Sequence, residues 1–336
     1  MKLGKGGRVE GNKGGRGKTK GRTNPSSPST LPPLHPSTPV SRSVSVVVVG
    51  AGPAGLAAAV QLVRQGLSTV VLEKDRPGGQ IATANLVENY LGLNRLPGAE
   101  VARMFVRHAM NAGVRIVRAE VQRIWGHGPF TVSTTEGRWR ARAVVVATGA
   151  VPRHLAKAKD AVDYDTGDLD VFRQRTVLVL GSGDAAFDRA LRILPVAASV
   201  RIMCRGKPSA LPILVSRCRK EGIPLVAEAG EPRIRFTAGR FEVRTRKGTF
   251  RADRLLACVG KTGQPPILPR PLEKLAPAFP SGRTTVPGLC LIGDLVSGQD
   301  RYLSVATGMG IAAAMAVGEW LKNGKHNRVG RARSWK

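Results

Sequence analysis

Residues 46–73 read VVVVGAGPAGLAAAVQLVRQGLSTVVLE. Four valines open the stretch with the β-branched bias of a strand buried on both faces. Gly50, Gly52 and Gly55 then form a G-x-G-x-x-G turn, with Pro53 and Ala54 inside it. An Ala/Leu-rich helical pattern runs on to Gln65, Gly66 stops it, and a second short strand ends on Glu73. Strand, glycine turn, helix and strand, with an acid about 20 residues past the glycines, make up the whole context of a dinucleotide-binding fingerprint. Gly50 permits the tight turn, Gly52 lets backbone approach a pyrophosphate, and Gly55 lets the helix pack near the strand. The helix N-terminus offers free N–H groups to phosphate charge. Glu73 is placed to accept hydrogen bonds from a ribose diol. The uncharged span 43–62 is long enough for a membrane helix. Three glycines and a proline at its centre, and the valine run before them, favour the nucleotide unit.

A second unit starts at Thr176: TVLVLGSGDAAFDRALRILPVAASVRIMCRG, residues 176–206. A strand leads into Gly181, Ser182, Gly183, Asp184, Ala185 and Ala186, then a helix to about Leu194 and a strand to Cys204. This is again the fingerprint, with Ala186 in the third small position. Where the first unit has Glu73, the second has Arg205, Gly206 and Lys207. An acid suits a free ribose, whereas Arg205 and Lys207 suit a 2′-phosphate, so NADPH is expected here, with NADH as the weaker alternative.

Between and after these units the pattern is mixed. Residues 78–80 are a Gly-Gly-Gln loop, and 97–112 predict a helix with Val101, Met104, Phe105 and His108 on one face at helical spacing. Gly113 stops it, and a meander of short alternating strands runs to Ala147, Thr148 and Gly149, a small-residue turn. Residues 224–258 read as strands, 286–294 as a strand ending on Gly293 and Asp294, and 304–321 as a Gly/Ala-rich helix starting near Arg301.

The chain has 336 residues, enough for one large or two ordinary domains, and a net charge of +30. Such a balance favours acidic partners such as nucleotides, nucleic acid or anionic membrane, and says nothing about fold. Residues 1–43 are Gly/Lys/Arg-rich, then Pro/Ser/Thr-rich, and cannot bury enough apolar surface to order themselves. They suit a nucleic-acid-binding arm, a targeting segment, or a tail with no role in the fold. Cys204, Cys218, Cys258 and Cys290 form no C-x-x-C pair, and Cys258 and Cys290 lie in apolar runs as core residues. His35, His108, His127, His154 and His326 have no ligand spacing, so no metal site is expected. Outside the first unit there is no long uninterrupted apolar span, and a cytoplasmic protein without a transmembrane segment is expected.

These motifs, in this order over residues 46–322, resemble the thioredoxin reductase-like flavoproteins of the class II pyridine nucleotide-disulfide oxidoreductases. The resemblance implies an α/β fold of two Rossmann-like, three-layer domains, the NAD(P)H domain inserted into the FAD domain. It places a disordered extension at 1–43, the FAD domain at 44–152 and 256–324, the NAD(P)H domain at 153–255, and a basic tail at 325–336. It implies FAD held by Gly50, Gly52, Pro53, Ala54, Gly55 and Glu73. The same site takes in Gly79, Gln80, Asn89 and Val121, the turn at Ala147, Thr148 and Gly149, and Gly293, Asp294, Arg301 and Tyr302. NAD(P)H would be held by Gly181, Gly183, Asp184, Ala185, Ala186, Arg205 and Lys207. A homodimer is also implied.

One departure bears on the reaction. The family's redox C-x-x-C precedes the second fingerprint, and here Asp165 and Asp168 stand in those positions. A carboxylate cannot carry electrons through thiol–disulfide exchange. The expected activity is therefore transfer of hydride from NAD(P)H to FAD and on to another acceptor: a ferredoxin-type protein, a quinone, a small disulfide or oxygen. Asp165 and Asp168 are candidates for a proton relay or, alternatively, ordinary loop acids. Two alternatives stand beside this: a disulfide reductase using displaced Cys204 and Cys218, and a non-enzymatic flavin or nucleotide sensor whose basic arm binds nucleic acid.

Overall fold

A computed structural model describes residues 42–155 and 161–323. Of the extension expected over 1–43, residues 1–41 lie outside the described residues, as does the tail expected over 325–336, while Ser43 already belongs to the first strand. Strand β1 (Ser43–Val49) begins three residues before the valine run, and Val46 to Val49 are almost fully buried. Helix α1 (Pro53–Arg64) buries Leu56, Ala58, Ala59 and Leu62 along one face. Gly66 ends it in a left-handed turn, φ +74°. There Gly66 N–H donates to the Val63 carbonyl and Leu67 N–H to the Leu62 carbonyl, which satisfies the last carbonyls of the helix.

β2 (Thr69–Glu73) pairs parallel with β1. Helix α2 (Gly98–Asn111) falls where predicted; Val101, Ala102, Val106 and Ala109 are its buried residues, whereas Met104 and His108, which share a face with Val101 by spacing, are exposed. The two alanines let α2 lie close to its neighbours, which large residues in their place would prevent. β3 (Arg115–Arg118) is not part of a meander; it joins β2 in parallel and extends the nucleotide sheet. The meander proper is β4 (Val121–Trp125), β5 (Phe130–Thr134) and β6 (Gly137–Val146), all antiparallel. β6 also lies parallel to β1, so the order in this first lobe is β3-β2-β1-β6-β5-β4.

The chain leaves the first lobe through β7 (Ala150–Pro152). The second lobe holds β8 (Thr176–Leu180), α3 (Asp184–Ile193), β9 (Ser199–Met203), α4 (Pro212–Lys220), β10 (Leu225–Val226), β11 (Arg233–Thr237), β12 (Arg240–Thr245), β13 (Gly248–Ala252) and β14 (Arg254–Ala257). Its parallel sheet runs β10-β9-β8-β14. Helices α3 and α4 supply Phe187, Ile193 and Cys218 to one face. The antiparallel sheet β11-β12-β13 packs Phe241, Val243 and Ala252 onto the other, against Leu178, Leu180 and Leu255. These are the three layers of the second lobe.

β15 (Lys261–Gly263) returns antiparallel to β7, so two short paired strands link the lobes. After the short helix α5 (Leu272–Leu275), β16 (Leu289–Leu291) completes the first sheet beside β6. The last element, α6 (Leu303–Asn323), buries Ala306, Met309, Gly310, Ala313, Ala314, Val317, Gly318 and Leu321, a stripe at helical spacing. It is the one helix among the described residues long and apolar enough to cross a membrane. Its apolar stripe is taken up by α1: a Cβ at Gly310 would stand 2.3 Å from the Ala54 carbonyl oxygen. The architecture is α/β, with two Rossmann-like lobes.

Candidate functional site

In the first lobe β1 lies between β2 and β6, so the chain leaves the sheet in opposite directions beyond the strand ends. That switch point is where open parallel sheets bind ligands. A cavity of about 320 Å³ opens there, lined by Gly50, Gly52, Pro53, Ala54, Glu73, Gly79, Gln80, Ala147, Thr148, Gly149, Gly293, Asp294, Arg301 and Tyr302. Gly50 adopts φ +100°, and a Cβ there would be 2.5 Å from the Ala147 carbonyl oxygen. At Gly52 a Cβ would meet nothing within 4 Å, so this backbone faces open space. Gly55 is structural: a Cβ would lie 1.9 Å from the Gly50 carbonyl oxygen. Glu73 shapes the turn as well as the rim, accepting from Ala51 N–H at 2.7 Å and Asp75 N–H at 2.9 Å. The Gly78-Gly79-Gln80 loop abuts the first fingerprint through Gly78 N–H to the Ala51 carbonyl, 2.8 Å.

Lys261, which sequence reasoning missed, lines the same cavity with Ile81, Ala84, Leu303 and Ala306. Its ammonium donates to Gln80 Oε1, and Gln80 Nε2 donates to the Ala150 carbonyl. Burial and the nearby Arg189 pull the Lys261 pKa down, and Asp294 partly offsets this. Burial raises the Asp294 carboxyl, against the pull of Lys261 and Arg301. Arg301 donates to the Lys261 carbonyl at 3.3 Å through Nη1, but its buried Nε has no partner among the described residues. Thr148 Oγ1 is likewise buried and unpartnered. Buried polar atoms are rarely left unpaired. Two of them in one cavity, beside a carboxylate, two cations and the open helix α6 N-terminus, fit a polar ligand with hydroxyl and carbonyl groups. Asn89 is exposed and does not line the cavity, and the Val121 side chain packs against the sheet core instead.

At the second fingerprint a Cβ on Gly181 would stand 2.6 Å from the Cys258 carbonyl oxygen, whereas one on Gly183 would meet Ser209 Oγ at an ordinary 3.9 Å. Ala186 is buried. Asp184, although at the helix start, turns its carboxylate to Leu211 N–H, 2.8 Å. Arg205 is exposed and pairs with Glu231 at 3.2 Å, and Lys207 is exposed nearby.

Asp165 and Asp168 are exposed, and each closes a local turn: Asp165 Oδ1 accepts from Gly167 N–H at 2.9 Å, Asp168 Oδ1 from Asp170 N–H at 3.0 Å. Thr166 between them is buried and donates to the Thr83 carbonyl at 3.1 Å, which ties this segment to the Gln80 loop. Further bonds join the lobes here. Asn85 N–H donates to Asp188, Arg192 to the Ala84 carbonyl, and Arg217 makes two bonds to Glu88, at 2.7 and 3.1 Å. The thiols are poorly suited to exchange, which needs a thiolate. Cys204 and Cys218 are buried and bonded to carbonyls, and burial pushes Cys218 up to about 11 and Cys290 up to about 12.

The sequence profile of the pyridine nucleotide-disulphide oxidoreductase family matches residues 44–313. The chain is 28% identical over 302 residues to the thioredoxin reductase of Bacillus subtilis, covering 82% of this chain and 94% of that protein. It is 33% identical over 166 residues to the thioredoxin reductase of Ureaplasma parvum, a match spanning 47% of this chain and about half, 54%, of that protein. The crystal structure of T. acidophilum thioredoxin reductase superposes with a TM-score of 0.75 at 28% identity, covering 83% of this chain and 98% of the other.

Proposed function

Because the chain belongs to the pyridine nucleotide-disulphide oxidoreductase family, we propose that it is a thioredoxin reductase-like, FAD-dependent enzyme that passes electrons from NAD(P)H to an acceptor outside the chain. One observation carries the reading: two complete fingerprints, the first opening on a cavity with unpartnered buried polar atoms, and no C-x-x-C anywhere in the sequence. FAD in the first site supplies the hydride-accepting ring, and the protein supplies orientation and electrostatics. Glu73 holds the adenosine ribose, Gly52 and the α1 N-terminus hold the pyrophosphate, and Asp294 holds the polyol. Gln80, Thr148, Arg301 and Tyr302, together with the α6 N-terminus, would hold the ring and favour negative charge on it.

The second fingerprint takes NADPH in preference to NADH, through Arg205 and Lys207. Arg205 must first leave Glu231, a change that costs little because both side chains are exposed. Acceptors to be tried are a ferredoxin-type protein, a quinone, a small disulfide and oxygen. The relatives named for thioredoxin make a disulfide that meets the cofactor directly one of these. A disulfide reductase relying on Cys204 and Cys218 has little support, since both thiols are buried and raised. A cytoplasmic homodimer completes the proposal.

The test is spectroscopic. Purified protein, loaded with FAD if necessary, should be yellow, lose its colour anaerobically on adding NADPH, and regain it with one member of an acceptor panel. A protein that never retains FAD would overturn the reading.

A further inference from the structure

Lys261 is a half-buried lysine between the two lobes, and among the described residues no carboxylate is bonded to it. It opens β15, one of the two strands linking the lobes, and its carbonyl is held by Arg301. The ammonium bonds to Gln80 Oε1, and Gln80 in turn is fixed to the Ala150 carbonyl of β7. The charged groups acting on it are Arg189 from α3, Arg301 before α6 and the carboxylate of Asp294. Asp294 is in turn acted on by two cations, Lys261 and Arg301. Glu73, the other acid of the cavity, sits at the fingerprint turn, where it accepts from the Ala51 and Asp75 N–H groups. Lys261 and Arg301 thus share one nearby carboxylate, and an oxidised isoalloxazine ring, being neutral, adds no counter-charge beside them. A negative charge arriving in the cavity supplies one.

We propose that Lys261 is a charge-compensating residue for the redox step, its ammonium stabilising the negative charge that appears in the cavity when the cofactor is reduced. The inference rests on FAD occupying this cavity. Hydride transfer breaks the C4–H bond of the dihydronicotinamide and forms an N–H bond at N5 of the isoalloxazine. Two electrons and one proton move together; the nicotinamide leaves with a positive charge, and the cavity gains a negative one. Gln80 holds the Lys261 ammonium on the side of the cavity formed by β15 and Asp294. Reduction would strengthen its ionised form, because an added anion favours a cation beside it. The position is separate from the NAD(P)H fingerprint, so Lys261 would alter the potential of the cofactor without selecting between NADPH and NADH.

Sulfite is a suitable probe, since it adds to N5 of oxidised FAD and leaves a negative charge on the same ring. FAD-loaded wild type, Lys261→Met, Lys261→Gln and Lys261→Arg are compared by sulfite titration and by anaerobic potentiometry. Loss of the charge in the Met and Gln variants should weaken sulfite binding about tenfold and lower the two-electron midpoint potential by about 30 mV, the equivalent of tenfold. The Arg variant should stay within about twofold of wild type. A side chain that only tethers the Gln80 loop would change FAD retention and leave both readouts alone. Equal sulfite affinity and equal potential in FAD-loaded wild type, Met and Gln proteins would overturn the proposal. Protein that binds no FAD in any variant would instead overturn the cofactor reading on which it rests.

Discussion

Gly55 has no room for a side chain, because a Cβ would stand 1.9 Å from the Gly50 carbonyl oxygen and 3.3 Å from Val48. Gly55→Ala forces α1 away from β1 and should cost about 1–3 kcal/mol, read as a lower unfolding midpoint together with reduced FAD retention. Asp165 and Asp168 behave differently, since each only closes a turn. Asp165→Asn and Asp168→Asn keep the accepting oxygen, so NADPH-driven flavin reduction should stay within about twofold. Asp165→Ala should lose about 1 kcal/mol of stability and no activity. A large loss of turnover in the Asn variants would restore the proton-relay role. Arg205→Ala should raise KM for NADPH about tenfold or more while leaving NADH unchanged, since a charge-assisted bond to phosphate contributes about 1.5–3 kcal/mol. Glu231→Gln frees Arg205 and should lower KM for NADPH. At this scale the glycines and Glu73 were legible in the sequence because each fingerprint position demands one backbone geometry. Lys261 was hidden: nothing in the run LACVGKTG distinguishes it from the other basic residues of a chain carrying 53 of them. Only the return of β15 beside β7 brings it to Gln80.

Elements carry the contacts between lobes. Asp188 and Arg192 on α3, Arg217 on α4 and Thr166 all grip residues 83–88, the stretch that follows the Gln80 loop. The Arg217 guanidinium bonded to Glu88 holds that carboxyl below its usual value of 4.5. A depressed carboxyl contributes stability above 4.5 and loses it as pH falls through the lower folded value, so this grip loosens on the acid side. Both groups are partly exposed, which limits the effect to about 1 kcal/mol. Glu88→Gln should therefore remove that acid-side loss of stability in pH-dependent denaturation and speed amide exchange over residues 83–88 at neutral pH. Unchanged exchange would mean that Asp188 and Arg192 hold the stretch without it. Helix positions were readable from periodicity, but the inner face of α2 was not. Spacing grouped Met104 and His108 with Val101, whereas packing buries Val101 together with Ala102, Val106 and Ala109. The same preference for small residues joins α6 to α1, where Gly310 and Gly318 allow near contact.

Across the whole molecule the two nucleotide units define two lobes, and the paired strands β7 and β15 are the covalent passage between them. The duplicated strand–glycine–helix pattern made this division legible, because each unit states its own sheet, helix and ligand face. The parallel return of β16 beside β6 was not legible, since three buried residues separated by more than 140 positions from their partners leave no local signal. The central claim is that the chain carries electrons on its flavin alone. Anaerobic NADPH titration of the FAD-loaded protein, with thiols counted before and after, tests it most directly. Complete bleaching after about one NADPH per FAD, with no gain in titratable thiols, is the predicted result. Uptake of about two NADPH per FAD, with two new thiols appearing, would contradict it.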